Sequence, residues 1–342
     1  FSTLMKKSRL LLSLLCLMVS TMGWGREKSL APWRDPAVNG VNRLPMRTDY
    51  FAFQSGEEAT TKERSSRYLS LNGLWRFLWV RHAEDRPRDF GALRLEDRSW
   101  ATIPVPGIWE LHGYGAPLYA NAVYAWHNQF KNDPPIVPLR ENHVGSYRRR
   151  ILIPSTWRGK RIIAHFGAVS SSLMLAVNGR EVGYSEDSKL PAEFDITPYV
   201  RFGEENLLAF QVFRWVDGTY LECQDFWRLS GVARDCYLYA RSPQRIEDVQ
   251  LVADLDTLHY QTGLLSLKLQ KTSANLPFSL TLRDAEGKIC LQRKSVTASS
   301  LQLELPSVRP WSAEDPYRYT LELETADEVI RQPIGFRNVC VA

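Results

Sequence analysis

The sequence predicts an all-β protein with two consecutive domains. Apolar and polar residues alternate in many short segments, which is typical of antiparallel strands buried on one face. Turn signals rich in Gly, Asn and Pro separate these segments. Between residues 60 and 342 no stretch has the period of an amphipathic helix of ordinary length. A chain of 342 residues has room for two or three such domains.

The first domain is predicted over residues 26–240 and includes an irregular N-terminal arm. The arm, Ser29–Arg47, is rich in Pro, Trp and Asn and is expected to pack through its aromatic side chain. A turn signal then precedes the aromatic strand Leu74–Phe77. Further on, Asn178 and Gly179 form a strong hairpin signal, because a type I′ turn needs positive φ at both central residues.

The second domain is predicted over residues 241–334 as an immunoglobulin-like sandwich. Its apolar residues alternate with polar or charged ones in Leu265–Gln270, in Phe278–Leu282 and in Tyr317–Glu324. One apolar and one polar face is the pattern of half-buried antiparallel strands. The spacing of the turns and the length of the segment both fit an immunoglobulin-like fold.

The N-terminus has the pattern of a secretory signal peptide. Lys6, Lys7 and Arg9 precede the apolar run Leu10–Val19, which is too short to span a membrane, and small residues follow. We therefore predict that residues 1–25 are a signal peptide and that the protein is exported to the periplasm or cell envelope of a bacterium. The formal net charge of +5 falls when these basic residues are removed, so no nucleic-acid or anionic-lipid surface is predicted.

The cysteines indicate neither a metal site nor an established disulfide. Cys16 lies in the apolar run, but Leu15 stands where a lipoprotein signal requires a small residue, which argues against lipid attachment. The remaining cysteines have no CxxC spacing, so zinc is not predicted. Cys223 and Cys236 are the nearest pair among them, and the sequence leaves open whether they are bonded.

The most informative segment is Asp217–Asp235, in which acidic, amide and aromatic side chains follow an alternating strand. Asp217, Glu222, Gln224 and Asp225 stand close together in it. A buried carboxylate costs several kcal/mol unless it is paired. These side chains therefore either bind one another in a loop or bind a polyhydroxylated ligand or a cation, and we expect the second.

No motif of a self-contained hydrolase is present in the sequence. HExxH, GxSxG, the P-loop and GxGxxG are absent, and the six histidines are scattered. A second dense segment, Glu110–Asn121, lies in a long loop over residues 107–145, and loops of this length are usually functional. Within it His112 and Tyr114 are expected to anchor the loop, and Asn121 fits a turn position as well as a binding role.

Several motifs share one resemblance to a known family. They are Trp109–Tyr114, Pro117–Asn121, Asp133–Pro138, Asn178–Arg180, Gly183–Ser188, Pro191–Asp195, Asp217–Asp235, Trp311–Pro316 and Gly335–Arg337. In this unbroken order, over residues 30–342, they resemble the family 2 glycoside hydrolases of the β-galactosidase type.

The resemblance implies three domains. A jelly-roll, galactose-binding-like β-sandwich comes first, an immunoglobulin-like sandwich second and a (β/α)8 barrel third. In this family two barrel glutamates act as acid/base and nucleophile, and the anomeric configuration is retained. Such a barrel needs about 250 residues, and residues 335–342 are where it would begin. We therefore nominate no catalytic residue in residues 1–342, regard them as the amino-terminal portion of the enzyme, and expect them to be inactive alone.

The resemblance also implies two substrate-binding residues. Asp225 matches the family aspartate that contacts a galactosyl hydroxyl and a monovalent cation, usually sodium. Asn121 matches the family asparagine that hydrogen-bonds the sugar. A carboxylate accepts hydroxyl protons strongly, and an amide offers both a donor and an acceptor. Magnesium is expected on the barrel, and Cys223 and Cys236 stand where some relatives have Asp and Val.

The implied function is hydrolysis of terminal non-reducing β-D-galactosides with retention, the present residues supplying part of the substrate site. β-Galactoside oligosaccharides are the expected partners, and a homo-oligomer of the full-length enzyme is left open. The loop His112–Asn121 and the segment Gln224–Asp225 favour galactose, with β-glucuronidase and β-mannosidase as alternatives. A standalone exported carbohydrate-binding module is an alternative of a different class.

Overall fold

The computed structural model describes residues 31–59, 61–121, 123–124, 126, 130–131, 133–222 and 224–339. Two β-sandwiches follow one another, which confirms the all-β prediction. The helices of the described residues are short 3-10 turns at Pro32–Arg34, Lys62–Arg64, Ala83–Asp85, Trp109–His112, Ser155–Trp157, Thr197–Tyr199 and Asp217–Tyr220. None of these described helices has the length and apolar character needed to cross a membrane.

The first sandwich is built from antiparallel strands on both sides of one core. The strands up to residue 241 are β1 (Gly40–Val41), β2 (Ala52–Phe53), β3 (Tyr68–Ser70), β4 (Gly73–Val80), β5 (Ala101–Val105), β6 (Gly107–Ile108), β7 (Leu118–Ala120), β8 (Val144–Leu152), β9 (Arg161–Phe166), β10 (Val169–Ser170), β11 (Ser172–Val177), β12 (Arg180–Glu186), β13 (Ala192–Asp195), β14 (Glu205–Phe213), β15 (Phe226–Arg228), β16 (Gly231–Val232) and β17 (Cys236–Arg241). A seven-stranded sheet has the order β1-β12-β11-β14-β8-β4-β5, and a four-stranded sheet has the order β13-β9-β17-β3. Strands β10, β16 and β6 form a small sheet, and β7 pairs with β15.

Apolar residues from both sheets form the core of this sandwich. Phe210 of β14 and Tyr147 of β8 stack with ring centroids 4.3 Å apart, and Phe166 of β9 meets Phe210 from the other sheet at 5.4 Å. All three are fully buried. Burial of a large apolar side chain contributes roughly 1.5–3 kcal/mol, so this cluster holds the two sheets together.

The turn between β11 and β12 confirms the predicted hairpin. Asn178 and Gly179 have φ values of 51° and 84°, and Val177 pairs with Arg180 across a two-residue loop. The Asn178 side chain also accepts a hydrogen bond from the backbone N–H of Leu207 at 2.9 Å. Glycine tolerates positive φ without steric cost, which is why this turn type selects it.

The second sandwich follows at once. Its strands are β18 (Ile246–Leu255), β19 (Gly263–Lys271), β20 (Phe278–Arg283), β21 (Ile289–Val296), β22 (Ser300–Leu305), β23 (Tyr319–Glu324) and β24 (Val329–Ile334). One sheet has the order β18-β19-β22, and the other has the order β2-β24-β23-β20-β21. The predicted alternation is present in β19, where Leu265, Leu267 and Leu269 are buried in the core between the sheets.

The segment that follows the N-terminal arm contributes a strand to this second sandwich. Ala52 and Phe53 of β2 pair with Ile330 and Val329 of β24, and Tyr50 lies in the second core. These residues lie within residues 26–240, the range that the sequence predicts for the first domain. So short a strand shows no alternating pattern of its own, and backbone pairing with an edge strand decides its place.

A buried ion cluster joins the two sandwiches. Glu328, in the turn between β23 and β24, pairs with Arg241 at 3.0 Å and with Arg67 at 3.3 Å. The backbone N–H of Ser242 donates to the same carboxylate at 2.6 Å. Arg67 and Arg241 come from the first sandwich, so the second sandwich's carboxylate neutralises two buried cations of its neighbour.

Candidate functional site

A two-stranded ribbon brings the two predicted binding residues together. β7 pairs with β15, and the register places Ala120 opposite Phe226. Asn121 follows Ala120 and Asp225 precedes Phe226, so both residues lie at the same end of the ribbon, next to this pair. Both are exposed. The structure therefore brings together two residues from distant parts of the chain, while their role in binding stays a prediction.

One face of this ribbon is open. Tyr119 is 51% exposed and Trp227 is 57% exposed, whereas Arg228 is buried. Side chains alternate between the two faces of a strand. Tyr119 and Trp227 therefore share the exposed face with Asn121 and Asp225. Their ring centroids are 5.7 Å apart.

Tyr119 holds the carboxylate of Asp225. Its hydroxyl donates a hydrogen bond to Oδ1 of Asp225, and that bond raises the pKa of Tyr119 above its ordinary value. The carboxylate keeps further lone pairs for a ligand. Sequence reasoning did not nominate Tyr119 or Trp227, although alternation along each short strand places them on the same side as the nominated residues.

Arg228 ties the ribbon to the loop that precedes it. Its Nη1 donates to the carbonyl of Glu222 at 2.7 Å, and its Nη2 donates to the carbonyl of Gln224 at 2.9 Å. The guanidinium also lies over the ring of Phe226, 4.2 Å from its centroid. Charge-assisted hydrogen bonds are stronger than neutral ones. The two bonds of Arg228 therefore hold the backbone that leads to Asp225 in one conformation.

The acidic side chains of the segment Asp217–Asp235 have different partners. The carboxylate of Glu222 accepts hydrogen bonds from the backbone N–H and the hydroxyl of Ser188, at 2.9 and 2.5 Å. Asp217 is buried beside Glu186. The expectation of one shared ligand or cation is thereby confined to Gln224 and Asp225, both of which are exposed. The carboxylates of Glu222 and Asp217 lie against Ser188 and Glu186, residues that the sequence alone does not show to be near them.

Glu186 and Asp217 form a buried pair of carboxyl groups. Burial and the neighbouring Asp217 raise the pKa of Glu186 to about 8, against the hydrogen bond that Tyr184 donates to it at 2.5 Å. Burial also raises the pKa of Asp217. A Cβ at Gly218 would lie 2.7 Å from Oε2 of Glu186, so the pair packs closely against backbone. Both shifts favour the protonated form of the pair.

Aromatic side chains anchor the long loop beside the ribbon. The hydroxyl of Tyr220 donates to the carbonyl of Ile136 at 2.6 Å. The ring of Tyr220 lies 4.8 Å from those of Tyr124 and Trp126, and Trp126 in turn contacts Trp215 at 5.5 Å. This packing explains why the described parts of so long a loop have a defined course.

The remaining aromatic predictions concern the arm and the loop anchors. Trp33 of the arm stacks on Phe213 at 4.7 Å, as the sequence predicts for an arm that packs through its aromatic residue. Tyr114 packs edge-on against Phe77 at 4.9 Å, in agreement with an anchoring role. His112, in contrast, is exposed at the end of a 3-10 turn.

Asp225 offers only part of a cation site. Carboxylate and amide oxygens are the ligands that hard cations prefer, and Asp225 and Asn121 carry one of each. Among the described residues there is no group of three or more His, Cys, Asp or Glu side chains that could hold a metal ion. A sodium ion at Asp225 would therefore take most of its oxygen ligands from a sugar or from other parts of the protein.

The cysteines of the described residues are thiols. Cys236 is buried, and burial raises its pKa to about 12. Cys290 is an exposed thiol on β21. Cys223 lies outside the described residues, and Cys236, whose pairing with Cys223 the sequence leaves open, is a free thiol.

Two family models match nearly the whole described chain. Residues 68–242 match the model described as glycosyl hydrolases family 2, sugar binding domain. Residues 244–337 match the model described as glycosyl hydrolases family 2. The two matches follow the two sandwiches in order.

Curated proteins are similar to this chain in sequence. The chain is 39% identical over 316 residues to a β-galactosidase of Halalkalibacterium halodurans, which covers 89% of this chain and 31% of that protein. It is 37% identical over 325 residues to a β-galactosidase of Priestia megaterium, with the same shares of 89% and 31%. A β-galactosidase of Streptococcus thermophilus is 35% identical over 323 residues, 91% of this chain and 31% of that protein. The chain thus spans about a third of the length of these relatives.

Solved structures share the fold at low identity. A β-glucuronidase of Ruminococcus gnavus superposes with a TM-score of 0.64 at 18% identity, over 87% of this chain and 47% of that one. A β-glucuronidase of an uncultured Clostridium superposes with a TM-score of 0.62 at 17% identity, over 88% of this chain and 47% of that one. These similarities support the two-sandwich fold. The family-model matches over residues 68–242 and 244–337 establish that the chain belongs to glycosyl hydrolase family 2.

Proposed function

We propose that this chain supplies the sugar-binding and immunoglobulin-like domains of a retaining β-galactosidase that hydrolyses terminal non-reducing β-D-galactosides. The observation that carries the proposal is the β7–β15 ribbon, in which Asn121 and Asp225 lie exposed at the same end, next to the pair Ala120 and Phe226. Sequence identities of 35–39% to proteins named β-galactosidase support the choice of galactoside. The solved β-glucuronidases are below 25% identity and support the fold alone.

The ribbon has the chemistry to hold a sugar. The Asp225 carboxylate accepts hydrogen bonds from sugar hydroxyls, and the Asn121 amide both donates and accepts. Tyr119 occupies one lone pair of Asp225 and fixes the direction of the others. If sodium binds here, it would sit against the Asp225 carboxylate and be shared with a galactosyl hydroxyl. Its charge would strengthen the bond to that hydroxyl.

The bond-breaking groups are assigned elsewhere. Following the family, the proposal gives the acid/base and nucleophile roles to two glutamates of a (β/α)8 barrel, and gives magnesium to the same barrel. None of the glutamates in residues 1–342 is assigned either role. In this arrangement the present chain orients the substrate, and the barrel performs the displacement at the anomeric carbon.

A carbohydrate-binding module without catalytic activity is the second candidate. The exposure of Asn121, Asp225, Tyr119 and Trp227 on the chain's own surface favours it, because such a face could bind a sugar without a barrel. The two candidates differ in one measurable respect, which is turnover.

Assays of two forms of the protein test the proposal. The protein as its gene encodes it should hydrolyse nitrophenyl β-galactoside with a higher kcat/KM than nitrophenyl β-glucuronide or β-mannoside. Residues 26–342 alone should not turn over the galactoside above buffer. Preference for the glucuronide or mannoside would overturn the substrate assignment. Galactose binding at micromolar Kd by an inactive full protein would favour the module, and turnover by residues 26–342 would show that the active site is misplaced.

Export is part of the same proposal. The predicted signal peptide, residues 1–25, lies outside the described residues. N-terminal sequencing of the mature protein from a cell fractionation should find a start near residue 26 in the periplasmic or envelope fraction. An intact leader in the cytoplasmic fraction would contradict export.

A further inference from the structure

Two aromatic rings lie open beside the proposed sugar-binding residues, and none of the roles assigned so far uses their ring faces. Trp227 is 57% exposed and Tyr119 is 51% exposed. Their rings are tilted by 56°, with centroids 5.7 Å apart. Trp and Tyr usually bury much of their large apolar area. Two of them left half open side by side indicate a contact surface.

The polar neighbours define what this surface can contact. Asp225 accepts the hydrogen bond of Tyr119, and Asn121 is exposed at the same end of the ribbon, so an occupant meets apolar ring faces, a carboxylate and an amide together. A wholly apolar occupant would remove the Asp225 carboxylate from water without a partner, which is unfavourable. A pyranose ring satisfies both demands, because it has a C–H face for an aromatic ring and hydroxyl groups around its edge.

The back of the ribbon is braced, so its exposed face is held in place before a ligand arrives. Arg228, the residue after Trp227, is buried. It anchors the ribbon by donating hydrogen bonds to the carbonyls of Glu222 and Gln224. The ring of Phe226, which belongs to the same ribbon, also contacts a cation. Its centroid lies 4.9 Å from the ammonium of Lys189. A surface that is already ordered loses little conformational entropy when it binds a ligand.

We propose that Trp227 is a stacking platform for a pyranose ring of the β-galactoside, and that Tyr119 is a positioning residue that holds Asp225 for the same sugar. The proposal rests on the proposed function, because it names further contacts at the same site. The C–H face of the sugar lies against the indole, and its hydroxyls meet Asp225 and Asn121. Tyr119 acts through the hydrogen bond from its hydroxyl to Asp225.

Calorimetric titration with the non-hydrolysable methyl 1-thio-β-D-galactopyranoside tests the platform in the protein as its gene encodes it. Trp227→Ala should weaken binding about 3- to 10-fold, the range expected for one aromatic contact. Trp227→Phe keeps an aromatic face and should stay within about twofold of the wild type. Leu221→Ala is the matched control, since Leu221 is an apolar residue of the same segment that is 87% exposed. It should bind as the wild type does.

The outcomes separate this proposal from the proposed function. If the wild type binds or hydrolyses galactosides but Trp227→Ala binds as tightly as Leu221→Ala, the platform is wrong and the proposed function stands. If the wild type neither binds nor hydrolyses them, both proposals fall. Binding is counted per folded molecule from the titration stoichiometry, and Trp227→Phe provides a variant that keeps the packing of the ring.

A double-mutant cycle tests Tyr119. Tyr119→Phe should weaken binding of the same galactoside about threefold or more, because it removes a hydrogen bond to a charged group. In an Asp225→Asn background the same substitution should change the affinity much less, since Tyr119 then has no carboxylate to position. Equal losses of affinity in the two backgrounds would show that Tyr119 does not act through Asp225.

Discussion

Single residues of the segment Asp217–Asp235 have separate tasks. Asp225 reaches the open face of the ribbon, where Tyr119 holds it. Glu222 binds Ser188 on a neighbouring loop. Asp217 shares a buried environment with Glu186. Carboxylates that are close in sequence therefore differ in exposure and partners, and this predicts different consequences when each is neutralised.

Asp225→Asn keeps the shape of the side chain and removes its charge. A charge-assisted hydrogen bond is worth about 1.5–3 kcal/mol, so kcat/KM of the full protein for a galactoside should fall at least about tenfold. Dependence on sodium should weaken as well. Asp235→Asn is the control, because Asp235 is exposed in the same segment and binds Asn72 instead. A lower Tm with unchanged kcat/KM per folded molecule would mean that Asp225 only braces its loop.

Glu186 makes stability depend on pH. Its pKa is raised from about 4.5 to about 8 in the folded protein by burial and by Asp217, so the folded state holds a proton that the unfolded state releases. Stability contributed by this group is present below the unfolded pKa and is lost as the pH rises from about 4.5 to about 8. Glu186→Gln cannot ionise and should remove this loss, which we expect to be roughly 1–3 kcal/mol.

Urea unfolding at pH 5 and pH 8.5 measures this difference. Glu186→Gln should lose less unfolding free energy between the two pH values than the wild type does. Glu181→Gln, an exposed position on the same strand, should behave as the wild type. Parallel pH profiles for all three proteins would contradict the raised pKa.

Short elements position the site. The ribbon of β7 and β15 is only three residue pairs long, and an isolated hairpin of that size is marginal in water. It persists because Arg228 binds the preceding loop and because Tyr220, Trp126 and Trp215 anchor the adjoining one. At this scale the backbone conformation of turns matters as much as the side chains they carry.

Gly179 offers a test of one such turn. Its φ of 84° is in the left-handed region, which an L side chain adopts at a cost of about 1–2 kcal/mol. Gly179→Ala should therefore lower the free energy of unfolding by about that amount in urea. Gly56→Ala is the control, because there the nearest neighbour is the flexible end of Arg331 at 3.5 Å. It should be neutral or slightly stabilising, and equal losses in both variants would argue against strain at the turn.

At the scale of the whole molecule, the two sandwiches share structure. Strand β2, which follows the arm, pairs in the second domain, and Glu328 of the second domain binds Arg67 and Arg241 of the first. Each sandwich therefore lacks part of its structure without the other. We expect the sugar-binding domain to keep a defined position relative to the immunoglobulin-like domain, as a site built from several domains requires.

Glu328→Gln should destabilise the protein strongly. It leaves two buried arginines without their carboxylate, and breaking a buried ion pair in this way costs about 3–5 kcal/mol. Glu324→Gln, at an exposed position of β23, should have little effect. Unfolding in urea, followed by tryptophan fluorescence, compares the two variants. A loss no larger than that of Glu324→Gln would show that the junction does not depend on the ion cluster.

The sequence by itself determined the all-β class, the order of the domains, the Asn178-Gly179 hairpin and the family. These follow from local patterns, because period-2 alternation and turn chemistry depend on residues close together in the chain. The sequence also nominated Asn121 and Asp225, through the resemblance of the motifs around them rather than through any local pattern.

Only the tertiary structure decided which side chains share a surface. Strand register places Asn121 and Asp225 at the same end of one ribbon, with Tyr119 and Trp227 exposed on it. Packing between distant segments gives Glu222 and Asp217 other partners. The crossing of β2 to the second sandwich has the same origin. Contacts between distant residues depend on which strands pair and where they begin, and a local pattern contains neither piece of information.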